Sequence, residues 1–87
     1  MAAAIYILDV DEFRPLVAAL RRRSSLTLEG PVSGYFVAAS EGPIEVQREE
    51  TGLCEAIWFG ALTSGFKGRI ERFDASALRI VPDQRPT

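Results

Sequence analysis

Histidine is absent from this sequence. Its absence removes the Ser-His-Asp and Cys-His arrangements that a single chain would need for nucleophilic catalysis. It also removes zinc sites built on imidazole. Any acid–base work falls to Asp, Glu, Tyr, Lys or Cys54. Cysteine occurs once, so no intramolecular disulfide framework can form and nothing points to secretion. No apolar run approaches the roughly 20 residues of a membrane-spanning helix. The opening "MAAAIYILDV" lacks a basic segment and meets Asp9 too early for a signal peptide. Charge of one sign is scarce as well. A net charge of −2 and a pI of about 5.0 give no global pull toward nucleic acid or an acidic membrane. The expectation is a cytoplasmic protein that does not enter membranes.

What is present fits one folded domain over residues 1–81, with 82–87 as a polar, proline-bearing tail. Hydrophobic residues make up 47% and charged residues 25% of the 87, close to ordinary globular usage, so disorder is not the default. A chain of this size buries roughly 60–70% of its unfolded surface, enough for one modest core.

The apolar pattern divides the chain into elements. "AAIYIL" (3–8) is apolar on both faces and reads as a central strand. In "DVDEFRPLVAALRRRS" (9–24), Val10, Phe13, Leu16, Val17 and Leu20 recur at helical spacing. Asp11 is the candidate N-cap there, and three arginines lie in the last turn, where cations are favoured. Pro15 fits only near the helix start. "SLTLE" (25–29) reads as a half-buried strand and "GPVSG" (30–34) as a loop. "YFVAAS" (35–40) and the alternating "IEVQRE" (44–49) read as strands. A second helix follows from "ETG" (50–52) to about Ser64, with Thr51 as candidate cap and Gly65 as its left-handed terminator. "KGRIERF" (67–73) and "ALRIV" (77–81) form a hairpin around "DAS" (74–76).

The order is strand–helix–strand–strand, twice. The expected fold is α+β: two consecutive β-α-β-β units forming one largely antiparallel sheet of about six strands, with two helices on one face. A ferredoxin-like core with an extra hairpin is the alternative.

No residue group amounts to a catalytic, cofactor or metal site. Cys54 falls in the first turn of the second helix, where a thiolate is favoured. Glu49, Glu50 and Glu55 oppose that charge, and no histidine can act as base. A buried structural thiol is the simpler reading, and Cys54→Ser should leave fold and function intact. Asp9, Asp11 and Glu12 lack the spacing of a calcium loop, and acids belong at helix starts in any case. Glu45, Glu49 and Glu50 read as a solvated strand edge. Arg21, Arg22 and Arg23 close the first helix. Lys67, Arg69, Arg72 and Arg79 make the last hairpin basic, which could track a phosphate backbone, but Glu71 and Asp74 interrupt them. "GALTSGFKG" (60–68) lacks the ending of a phosphate-binding loop and falls at a helix end.

Two surfaces stand out as binding candidates. In "GLCEAIWFGALTSGF" (52–66) a helical wheel puts Leu53, Ala56, Ile57, Gly60 and Ala61 on one arc. Trp58, Phe59 and Leu62 lie on the opposite side. A helix apolar nearly all round needs cover nearly all round. Loops of the same chain, a second copy, or another protein or small apolar ligand could supply it; a second copy against Trp58, Phe59 and Leu62 is the leading expectation, since two-fold dimers are the commonest oligomers. The other surface is the open sheet face, where Tyr6, Leu8, Tyr35 and Val37 would form an apolar centre ringed by charges. The leading functional expectation is a small non-catalytic binding or interaction domain that forms homodimers. A small enzyme or accessory subunit with a Tyr/Asp/Glu/Arg pocket on the sheet face is a second reading. A weak nucleic-acid binder acting through the last hairpin is a third.

Overall fold

A computed structural model describes residues 2–83; the end of the expected tail, 84–87, lies outside the described residues. These residues form seven strands: β1 (Ala3–Leu8), β2 (Thr27–Val32), β3 (Tyr35–Ser40), β4 (Ile44–Gln47), β5 (Phe66–Lys67), β6 (Arg69–Phe73) and β7 (Ala77–Val81). Three short helices accompany them: α1 (Arg14–Arg21), α2 (Arg48–Thr51) and α3 (Glu55–Trp58). A single 3-10 turn, Asp11–Phe13, leads into α1.

The class is α+β, as the sequence implies, but the single six-stranded sheet does not form. There are two antiparallel sheets instead, one in the order β2-β3-β1-β5 and one in the order β4-β7-β6. The division falls at Gly68, inside the segment read from sequence as one strand. Its φ is +115°, and a Cβ there would collide with the backbone carbonyl of Val81. Glycine permits that close approach. It lets β5 pair with β1 while β6, one residue on, pairs with β7. A strand that bends from one sheet into another is how packed sheets turn a corner.

Both sheets send alternate residues to one shared core. Ile5, Ile7, Phe36 and Ala38 come from the first sheet, and Ile44, Val46, Leu78 and Ile80 from the second. Leu16, Val17, Ala19 and Leu20 of α1 complete it. The radius of gyration, 12.1 Å, is about that of one folded unit of this length.

Local sequence explains most departures from the expected elements. Asp11 caps nothing by side chain; Val10 stands at the N-cap of the 3-10 turn, and Pro15 takes the first turn of α1, where its missing N–H costs little. β2 continues through "GPV" rather than stopping at Glu29. Proline is tolerated there because β2 is an edge strand. The turn shrinks to Ser33 and Gly34, both at positive φ, the hand that two-residue hairpins need.

The expected second helix is broken in two. "QREE" makes a capping box: the Gln47 side chain accepts from the Glu50 amide, and Glu50 Oε2 accepts from the Gln47 amide at 2.9 Å. α2 therefore starts at Arg48 and ends at Gly52, which adopts the left-handed conformation. Thr51 closes this helix rather than opening the next. Its hydroxyl donates to the Arg48 carbonyl and accepts from the Leu53 amide. After α3, residues 59–64 run as successive tight turns, with Gly60, Ala61, Thr63 and Gly65 each bonded three residues back.

Candidate functional site

The break at Gly52 resets the helical phase, and this relocates the tryptophan. Trp58 is fully buried, whereas Ala56, expected inside, is exposed. The indole Nε1 donates to the Asp74 carbonyl at 2.6 Å. Its ring lies 6.0 Å from that of Phe73 at 60°, a tilted arrangement that aromatic pairs favour. Trp58 thus belongs to the chain's own core and does not face a partner. Phe59 is exposed, its ring 5.5 Å from that of Phe73. Leu62 is half-buried and packs on the core. Most of the apolar stretch is covered by its own chain. Cys54, expected inside, is exposed at the N-cap of α3, where its carbonyl accepts from Trp58.

The open face of the first sheet remains. Pairing in β1 and β3 is in register, with Tyr6 opposite Val37 and Leu8 opposite Tyr35. Ile5 and Ile7 point into the core, so the period of two sends Tyr6 and Leu8 outward. β2 adds Val32 opposite Tyr35. Val32 is 69% exposed and Tyr35 40%. Tyr6, Val32, Tyr35, Val37 and Ser64 line a groove of about 480 Å³. Leu8 lies exposed at the end of β1, outside that lining. Ser64 arrives because the Gly65 carbonyl accepts the Tyr6 amide at 3.1 Å, tying the turn before β5 to the sheet. Among the described residues the lining offers two phenols and one hydroxyl, and no carboxylate or guanidinium. It can bury apolar surface and make a few hydrogen bonds, but it holds no acid–base pair.

The second sheet presents the opposite chemistry. Arg79 reaches both Glu71 at 2.8 Å and Glu45 at 2.9 Å. Arg72 binds Asp74 at 2.8 Å, and Arg69 lies 3.5 Å from Glu71. The hydrogen bond from Arg79 draws the Glu71 carboxyl below its usual range. Asp74 falls to about 2, first through Arg72 and then through the Ser76 and Ala77 amides that its side chain accepts. The three arginines of the last hairpin are thus engaged by carboxylates of the same chain, which leaves little free positive charge for a phosphate backbone.

The remaining acids are also spoken for or apart. Glu50 accepts a forked contact from Arg23 at 2.6 and 2.8 Å, and Glu45 serves Arg79, so the expected solvated edge is partly an ion-pair surface. Asp9 pairs with Arg14 at 3.2 Å. Among the described residues, no three Cys, Asp or Glu side chains gather as a metal site, and no helix is long and apolar enough to cross a membrane. Compared with known proteins, the chain matches no family model and no curated protein.

Proposed function

We propose that this chain is a small non-catalytic binding domain that works as a homodimer through the outer face of its first sheet. One observation carries the reading: Tyr6, Leu8, Val32, Tyr35 and Val37 share one sheet face, on which Leu8, Val32 and Tyr35 are exposed and Tyr6 and Val37 are half-buried beside the Ser64–Gly65 turn. An apolar patch with a polar rim is the usual mark of an interaction surface.

The rim favours a second copy as occupant. Glu29 and Lys67 lie on the same face at opposite edges of the sheet, on β2 and β5. Glu29 is level with Val37 and Lys67 with Ala4. Both are exposed, and neither has an ion-pair partner among the described residues. A two-fold axis along the strands lays β2 of one copy over β5 of the other. Each Glu29 then approaches a Lys67, offset by about 7 Å along the strand, within reach of a lysine side chain. The arrangement is self-complementary, as a two-fold interface must be. The enzymatic reading lacks its expected Asp, Glu and Arg in the groove, and the nucleic-acid reading lacks free arginines on the hairpin.

Light scattering tests this. Wild type should run as a dimer at micromolar concentration. Tyr35→Arg should stay folded by circular dichroism and run as a monomer. Glu29→Lys and Lys67→Glu should each weaken the dimer, and the double swap should restore it. A wild type that stays monomeric at high micromolar concentration overturns the proposal.

A further inference from the structure

A second cavity, of about 420 Å³, lies where the β4–α2 junction faces the β6–β7 turn. Gln47, Arg48, Glu49, Leu53 and Ser76 are among its walls. Arg48 is held rigidly there. Its Nε donates to the Ala75 carbonyl, its Nη1 to the Leu53 carbonyl at 2.9 Å, and its backbone amide to the Ser76 carbonyl at 2.8 Å. The side chain is half-buried, yet among the described residues no carboxylate pairs with it. In this it differs from Arg14, Arg23, Arg69, Arg72 and Arg79, each of which has one.

A guanidinium carries five N–H donors. Two are used, which leaves three without an acceptor among the described residues. The neighbouring polar groups are donors as well. The Gln47 side-chain oxygen is occupied by the Glu50 amide, so its NH₂ is the free end. The Ser76 hydroxyl makes no hydrogen bond among the described residues. No Arg48 nitrogen is buried without a partner, so its unused donors are open to solvent and to a ligand, and a rigid fork of donors matches oxyanions.

We infer that this cavity binds the oxyanion of a small ligand, a phosphate or a carboxylate, with Arg48 as its centre and Ser76 and Gln47 as flanking donors. Glu49, exposed at the wall, limits affinity by repulsion. The site is separate from the first sheet's outer face and does not depend on the dimer.

The test is a titration of ¹⁵N-labelled protein by NMR at constant ionic strength, with sodium phosphate, sodium acetate and sodium chloride in separate arms. Saturable shifts of the Arg48 side-chain Nε–H and of the Gly52 and Ser76 amides are expected with phosphate, acetate or both. Saturation in only one of those arms identifies the oxyanion class. Arg48→Gln should abolish saturation. Because that change could also loosen the fold, two gentler variants accompany it. Ser76→Ala should weaken binding by about 3- to 10-fold, the worth of one hydrogen bond. Glu49→Gln should tighten it by about 2- to 5-fold, as expected for an exposed charge. Equal shifts with chloride, or affinity unchanged in both gentler variants, overturn the assignment.

Discussion

The two halves of the molecule arrange three strands alike and finish their outer surfaces in opposite ways. In the first, β2-β3-β1 is the order, and in the second β6-β7-β4. Each time the strand before the helical segment pairs with the last strand of its half, not with the next in sequence. Yet β1 and β3 turn Tyr6, Leu8, Tyr35 and Val37 to the outside, whereas β4, β6 and β7 turn out Glu45, Glu71, Arg72 and Arg79. The lesson is that topology sets which positions face outward and leaves their chemistry free. A ladder of alternating charge on the second sheet stays solvated and resists association with another sheet. An apolar face on the first invites it.

The halves also differ in how they fill the core. The first uses a regular eight-residue helix with Leu16, Val17, Ala19 and Leu20 inward. The second has only two single turns of helix and relies on one large side chain, Trp58. Removing that side chain should be the most damaging change. Trp58→Ala should cost about 3–5 kcal/mol, read as a fall in the urea midpoint. Trp58→Phe should cost less, retaining the ring but leaving the Asp74 carbonyl without its donor. Equal costs for Trp58→Ala and Leu62→Ala would mean that the second half does not depend on the tryptophan.

Next comes the joint between the halves. Gly68→Val places a β-branched side chain at positive φ against the Val81 carbonyl. Backbone strain of this kind costs roughly 1–3 kcal/mol, and the clash adds to it. The same substitution at Gly42, where a Cβ would meet nothing within 4 Å and φ is not positive, should be nearly neutral. If the two variants unfold at the same urea concentration, the bend at Gly68 is not what separates the sheets.

These two sites mark where reading the sequence succeeds and fails. The strands over 3–8, 35–40 and 77–81 have the bounds that their apolar runs predict, because each is buried against the core and local pattern governs them. The inward face of α1 is legible for the same reason. The helix over 52–64 is not, because a wheel keeps its phase only while the helix is unbroken. One signal was present: "QREE" has the polar pair, three residues apart, of a capping box. The burial of Trp58 depends on a carbonyl 16 residues away, and the bend at Gly68 on one 13 residues away. No local window contains either. On the outer sheet face, alternation places Tyr6, Leu8, Tyr35 and Val37 together, while Val32 and Ser64 reach the groove only through the β2 extension and the Gly65 contact.

A smaller effect is expected where the helical connections of the two halves are tied to each other. Glu50 completes the α2 capping box and also receives Arg23, two residues beyond the end of α1. Glu50→Ala removes both and should cost about 1–2 kcal/mol. Glu50→Gln can keep the reach to the Gln47 amide while losing the charge, so it should fall between wild type and Glu50→Ala in urea denaturation. Identical losses in the two variants would assign the whole effect to the ion pair.

The smallest effect concerns the charged face of the second sheet, and it shows only in acid. Asp74 titrates near 2 in the folded chain, against the usual 3.8. A carboxyl whose pKa is lower when folded binds its proton more readily when unfolded. Its contribution is therefore complete above about pH 4 and is lost as the pH falls toward 2. Glu71, lowered by Arg79, adds a loss of the same sign. Asp74→Asn separates the charge from the turn, because an asparagine oxygen can still accept the Ser76 and Ala77 amides while Arg72 loses its partner. Urea midpoints for wild type and Asp74→Asn should differ at pH 7 and converge at pH 2. A gap that stays constant across that range would mean that Asp74 acts through the geometry of the turn and not through its charge.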